Sequence, residues 1–208
     1  MIRPPDAEAE RLGYRAVDLD GRQIVLPVVA LASLGLGPHD PVPPHLRARV
    51  EDLASIELTY QAALRSLAGR ARSRAGLRRA LLEHHAPTAV DAALERVAAR
   101  GWLDDQRFAA EYATRRARGS RGPERLVRDL VARGVARDVA EAAVQGAVVE
   151  SGADPVRTAE ALARRRAAQL AGLPPTVRKR RLLAFLARRG FRGAPVMALV
   201  NAVCQASA

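Results

Sequence analysis

From about residue 50 onward, apolar residues recur at the three- and four-residue spacing of amphipathic helices. Ala63, Leu64 and Leu67 mark one stripe, Leu77, Leu81 and Leu82 a second, and Val90, Ala93, Leu94 and Val97 a third. The cycle restarts with Phe108, Ala109 and Tyr112, continues through Leu126 and Leu130, and closes on Val139, Ala142 and Ala143. A third round runs through Ala159 and Leu162, then Leu182, Leu183 and Leu186, then Met197, Leu199 and Val203. The pattern predicts nine helices in three sets of three.

The sets align with one another. Leu77 and Leu81 match Leu126 and Leu130 at a shift of 49, and these match Leu182 and Leu186 at a shift of 56. His85-Ala86, Gly134-Val135 and Gly190-Phe191 then fall at one place, a helix end followed by an apolar residue that tucks back into the core. Repetition at this period predicts a mainly α fold of tandem three-helix repeats in an elongated, curved array. The repeats are expected at 50–101, 102–150 and 151–208.

Residues 1–49 read differently, as an extension. Tyr14–Leu19 and Gln23–Leu26 flank Asp20-Gly21, a dipeptide suited to a type I′ turn, and so predict a small β-hairpin. A short helix over Val28–Leu34 should end near Gly35 or Gly37, and Pro38, Pro41, Pro43 and Pro44 form a stiff connector. A lone hairpin is marginal in water, so this one docks on the helices or on a partner.

Helix starts and stops are well punctuated. Ser73 can cap the second helix of repeat 1, Pro87 can open the third, and Gly101 ends it. Asp104 and Asp105 restart the next helix with a cap carboxylate and an anion at the positive dipole end, and Gly122-Pro123-Glu124 opens another.

Charge changes the picture. Arg and Lys number 34 against 22 Asp and Glu, for a net +12, and Lys179 is the only lysine. Nucleotide composition alone can produce that arginine bias. Residues 1–55 hold six Arg and eight acids, so the excess positive charge belongs to the helical part and predicts attraction to polyanions or acidic protein surfaces. One cysteine, Cys204, precludes an internal disulfide, no run approaches a membrane span, and the N-terminus is too polar for a signal peptide. A cytoplasmic location follows as the expectation.

No motif carries covalent chemistry. Adjacent helical positions point about 100° apart, so Asp104 and Asp105 do not face one another as an acid/base pair, and His84 and His85 lack the i, i+4 spacing of a metal pair. Neither an enzyme nor a metal or cofactor site is expected. Phe108, Phe185 and Phe191 fall on core stripes, and Trp102 sits in a turn where it can lock adjacent repeats.

The arginines are the candidate binding surface. Arg115, Arg116, Arg118, Arg121, Arg125 and Arg128 concentrate in repeat 2, and Arg178, Lys179, Arg180, Arg181, Arg188 and Arg189 in repeat 3. Any one of them is more simply a solvated residue. The set, with few intervening acids, favours a polyanion or acidic-partner surface.

These residues resemble a known family. Arg100-Gly-Trp-Leu-Asp-Asp-Gln-Arg-Phe-Ala109 is similar to the RecX hallmark, with Gly101, Trp102, Asp104, Asp105 and Phe108 in their places. Gly122-Pro123-Glu124-Arg125-Leu126, Leu130 and Arg133-Gly134-Val135 resemble its second signature, and Arg189-Gly190-Phe191 its third. The chain departs from the pattern at Gly76, where a capping-box glutamate is usual, so that helix start should be weak. It departs again at His85 in place of a glycine-like stop, and at Pro195, which should delay the last helix. The resemblance implies a protein that binds the RecA–single-stranded DNA filament and opposes RecA. A monomer is expected, with RecA as the main contact and DNA as an auxiliary one, because the chain offers no aromatic stacking platform. The alternative is a general nucleic-acid-binding helical protein of the transcription-regulator type.

Overall fold

The structure, a computed structural model, describes residues 13–19, 21–37 and 40–205. Strands β1 (Tyr14–Leu19) and β2 (Arg22–Pro27) pair antiparallel, with Leu19 matched to Arg22. That register leaves a two-residue loop in which Gly21 takes a φ of 80°; Asp20, the other half of the expected type I′ turn, lies outside the described residues. Helix α1 (Val28–Ala32) gives way to Gly35 at φ 71°. Of the proline connector, Pro38 lies outside the described residues, and Pro44 opens a 3₁₀ turn ending at Leu46.

Among the described residues nine further helices follow: α2 (Arg47–Gly69), α3 (Arg74–Leu81), α4 (Pro87–Ala99), α5 (Asp105–Thr114), α6 (Pro123–Val131), α7 (Arg137–Ser151), α8 (Pro155–Ala168), α9 (Pro175–Arg188) and α10 (Ala194–Gln205). They form three sets of three, as the periodicity predicted. Three separate hydrophobic clusters match the three sets. Tyr60, Ala63, Leu77, Leu81, Val90 and Leu94 anchor the first; Ala109, Leu126, Leu130 and Val144 the second; Ala163, Leu182, Leu186 and Val200 the third.

Two compact units divide the chain. The first holds the described residues up to Ala71 together with Leu77–Leu103, and the second holds Arg72–Gly76 with the described residues from Asp104 onward. In the first unit the alternating residues Val17, Leu19, Ile24 and Leu26 of the hairpin cluster with Leu31 and Val50, so the hairpin docks on α1 and α2. Burial of both strands' inward faces supplies what a free hairpin lacks.

Several stripes are rotated from their expected positions. In α7 the core residues are Ala140, Val144 and Ala147, and Ala142 is exposed. In α10 they are Val196, Val200 and Val203, leaving Met197 51% exposed. In each case the neighbouring small or apolar residues fitted two overlapping stripes, and packing selected one. The helix start at Ala194 places Pro195 in the first turn, where its missing N–H is no loss, so this helix is not delayed. Val135 and Phe191 tuck inward as expected, each N–H reaching back five residues to Leu130 O and Leu186 O. Ala86 does not; it is exposed, and the half-buried His85 instead shares a 2.9 Å hydrogen bond with Thr59 Oγ1.

Candidate functional site

The second unit is built around two positive-φ glycines. Gly134 and Gly190 both take φ 86° after the middle helices of repeats 2 and 3. A Cβ on Gly134 would come 2.2 Å from the Ala75 Cβ, and one on Gly190 would come 2.2 Å from the Arg125 backbone nitrogen. Each glycine therefore lets the first turn of another helix approach closely. Ser73 Oγ donates to Arg133 O beside Gly134, and Gly122 N donates to Arg189 O beside Gly190 at 2.7 Å.

The hallmark aspartates split their work. Asp104 caps α5, its carboxylate accepting from Gln106 N at 2.8 Å and Arg107 N at 3.0 Å. Asp105 stands in the first turn of α5, as expected of an anion at that end, yet its carboxylate also accepts from Arg74 N at 2.7 Å, the first N–H of α3. Ser73 Oγ accepts from Gly76 N at 3.0 Å. The start of α3, which lacks the capping-box glutamate, is thus held by Ser73 and by a carboxylate 31 residues away.

The repeat 2 arginines are largely committed within the unit. Arg121 and Arg125 both pair with Asp129, at 2.8 and 2.9 Å, although Arg121 precedes α6. Arg115 pairs with Glu111 at 2.8 Å, and Arg118 donates to Ser151 O at the end of α7 at 3.1 Å. Arg116 and Arg133 lie over the Tyr112 ring, 4.0 and 4.7 Å from its centroid. Arg128 is exposed and reaches Ala187 O at 3.5 Å.

Repeat 3 differs. Lys179, Arg180, Arg181 and Arg188 are exposed, and among the described residues none of their four side chains makes a hydrogen bond or ion pair. Arg189 is half-buried over the Phe185 ring at 4.7 Å. Arg178 corrects the expectation: it is 3% exposed and donates to Cys204 O at 3.0 Å, so it ties α9 to the end of α10 and offers nothing to a partner. Its spacing from Leu182 and Leu186 placed it on the buried stripe.

Comparison with known proteins fits this arrangement. Residues 60–96, 104–144 and 153–197 match, in order, the first, second and third three-helix domains of RecX. A regulatory protein RecX of Halorhodospira halophila is 36% identical over 151 residues, spanning 72% of this chain and 90% of that one. The chain belongs to the RecX family. A regulatory protein RecX of Thermobifida fusca is 40% identical over 141 residues, 66% of this chain and 74% of its own. A crystal structure of regulatory protein RecX shares the fold at a TM-score of 0.75, with 18% identity over 92% of this chain and 96% of that one. RecX from Lactobacillus salivarius shares it at 0.59, with 17% identity over 72% and 96%.

The remaining RecX hallmark residues are structural or exposed. Phe108 is half-buried at the edge of the repeat 2 core, 6.4 Å from the Tyr112 ring, and Phe191 is buried in repeat 3. Gly101, at φ 69°, ends α4 as expected. Trp102 stands in the turn after α4, 53% exposed, with the Arg100 guanidinium 5.6 Å from its ring. The sequence reading missed one polar centre, in the first unit. Buried Glu57 accepts from Tyr14 Oη at 2.9 Å, Gln61 Nε2 at 2.8 Å and Arg96 at 2.8 Å, which ties the hairpin to α2 and α4. Burial, and then the hydrogen bond donated to Glu57, raise the Tyr14 pKa above its ordinary value. Glu57 lies three residues before core Tyr60, a spacing that marks the shared face.

Between α6 and α7 lies an open cleft of about 610 Å³, lined by Val127, Val144, Val148 and Val149 and edged by Arg128 and Arg137. Among the described residues, no group of three or more His, Cys, Asp or Glu is placed to hold a metal ion, and no helix is long and apolar enough to cross a membrane.

Proposed function

We propose that this chain is a regulatory protein that binds the RecA–single-stranded DNA filament and lowers RecA's recombinase, ATPase and coprotease activities, thereby modulating recombinational repair and the SOS response. The observation that carries the reading is the full set of three RecX domains in order, with relatives named as regulatory proteins. The exposed arginines of repeats 2 and 3 supply a surface suited to acidic protein and phosphate. The protein acts in the cytoplasm as a monomer, by binding, with no cofactor. Repeated small contacts along a filament give avidity without a deep pocket.

The test is a titration into a single-stranded-DNA-dependent RecA ATPase assay. Less than one protein per RecA protomer is expected to depress the rate, because a filament-bound regulator influences protomers it does not touch. Full ATPase activity at equimolar protein refutes the reading.

A further inference from the structure

Helices α6 and α9 are equivalent elements that differ in how their charge is balanced. Leu126 and Leu130 correspond to Leu182 and Leu186, all buried, and Gly134 corresponds to Gly190 with the same φ of 86°. On this register Arg125 corresponds to Arg181 and Arg133 to Arg189, so these cations are retained, whereas Arg128 gives way to Ala184. The acids are not retained. Glu124 corresponds to Arg180, and Asp129, which receives both Arg121 and Arg125, corresponds to Phe185. At the two acidic positions of α6, α9 thus carries a cation and an aromatic ring, and it gains Lys179 at the place of Pro123 and Arg188 at the place of Ala132.

The loss extends beyond the helix. After Glu160 the sequence holds ten cations and no acid. Lys179, Arg180, Arg181 and Arg188 occupy less than three turns of one helix, exposed and without a counter-charge among the described residues. Like charges so placed repel one another, and a bound polyanion relieves that repulsion. Arg181, Ala184 and Arg188 lie at i, i+3, i+7 on one face, and the small Ala184 between the guanidinium groups leaves room for a rod-like ligand. In place of the lost Asp129 carboxylate, Phe185 holds Arg189 at 4.7 Å and Arg166 at 5.8 Å, keeping two more guanidinium groups at the helix. None of the exposed large apolar residues lies on α9, so the face lacks the apolar centre of a protein interface.

We infer that Lys179, Arg180, Arg181 and Arg188 of α9 form this chain's contact with the phosphate backbone of single-stranded nucleic acid. The charge-balanced α6 surface makes no such contact. The inference rests on the filament-binding reading for the identity of the polyanion, but its test needs no RecA.

The full-length protein is titrated into a fluorescent oligothymidylate, by anisotropy, across a range of salt concentrations. A variant carrying Lys179→Ala, Arg180→Ala, Arg181→Ala and Arg188→Ala is compared with an α6 variant, which carries Arg125→Ala and Arg128→Ala on α6 together with Arg115→Ala and Arg118→Ala just before it. The log K against log salt slope is expected to shrink by about 0.7 for each α9 cation that contacts phosphate, and to stay unchanged in the α6 variant. Circular dichroism melts establish that both variants fold. If the fourfold α9 variant is unfolded, the single substitutions Arg181→Ala and Arg188→Ala, each expected to lose about 0.7 of slope, take its place. An unchanged slope in the α9 series, or a loss in the α6 variant instead, overturns the assignment. Should free oligonucleotide not bind while the α9 variant loses only RecA inhibition, the surface is one for an acidic protein and the inference fails. A reduced slope with RecA inhibition absent from the wild type keeps the phosphate site and removes the filament reading.

Discussion

The two glycine junctions of the second unit perform one task with different chemistry. At Gly134, Ser73 bridges to the Arg133 carbonyl through its hydroxyl, and Asp105 accepts the N–H of Arg74. At Gly190 the corresponding bridge comes from the backbone N–H of Gly122. There Pro123 stands in the place of Arg74 and Pro155 in the place of Asp105, next to the capping residues Gly122 and Asp154. Pro123 has no N–H to donate and Pro155 has no carboxylate to receive one. Donor and acceptor have disappeared together, so the exchange strands neither an N–H nor a carboxylate. The difference teaches that the close approach at glycine is the shared requirement, while the hydrogen bonds around it are interchangeable provided they change in pairs.

The largest effect is expected at Gly190. There a Cβ would meet the Arg125 backbone, at 2.2 Å from N and 2.8 Å from Cα, so the obstruction cannot swing aside. Gly190→Ala is expected to cost about 4 kcal/mol in chemical denaturation, including roughly 1–2 kcal/mol for a left-handed backbone. At Gly134 the obstacle is one methyl group, the Ala75 Cβ. Combining Gly134→Ala with Ala75→Gly is therefore expected to recover all but about 1–2 kcal/mol of backbone strain. Failure of that rescue would break the distinction between a side-chain and a backbone obstruction.

Intermediate effects are expected at the polar groups. Ser73→Ala removes a cap and the bridge to Arg133 O, and should cost about 2 kcal/mol by thermal melting. Asp105→Ala should cost about 1 kcal/mol, and Pro155→Ala less than about 0.5 kcal/mol. Asp104→Ala should cost about 1 kcal/mol and Asp154→Ala the same, because the two residues cap α5 and α8 alike, each through one oxygen to two N–H groups. Equal losses for Asp105→Ala and Pro155→Ala would show that the carboxylate reaching Arg74 adds nothing.

The last effect is a control outside both junctions. The neutral Tyr14 phenol is favoured in the folded state, because its pKa is raised above 10.0 by burial and by its bond to Glu57. Its contribution is therefore present below pH 10 and lost as pH rises through the higher folded value. Tyr14→Phe is expected to cost about 1 kcal/mol at neutral pH and to flatten the fall in stability above about pH 10. The glycine variants should leave that alkaline limb unchanged. A limb identical in wild type and Tyr14→Phe would place the transition elsewhere.

Local sequence signals were the most legible. The hairpin, the nine repeat helices, the Asp104 and Ser73 caps, and the turns at Gly134 and Gly190 all follow from a few adjacent residues. Long-range partners were not, since nothing near Asp105 announces Arg74, and nothing near Glu57 announces Tyr14, 43 residues earlier. Stripes of alanine and valine were ambiguous by a residue, as α7 shows, because small side chains fit either of two faces. Arg178 was readable in principle. Its charge suggests the surface, but its spacing from Leu182 and Leu186 puts it inside. The candidate surface was legible as a set of cations, and the i, i+4 pairs Arg115–Glu111 and Arg125–Asp129 were within reach of the sequence, but the partners of Arg118 and Arg121 emerge only on folding.

One consequence follows from Lys179. It is the only lysine of the sequence and it stands exposed on α9. Reagents and enzymes that acylate or conjugate side-chain amines therefore find a single address on this protein, whereas the guanidinium groups that carry the rest of its positive charge do not react. Acylation there cancels one charge on a helix that has no acid of its own, and leaves every arginine as it was. The protein's basicity is thus nearly immune to amine-directed modification, and the one place where it is not lies among its unpaired cations.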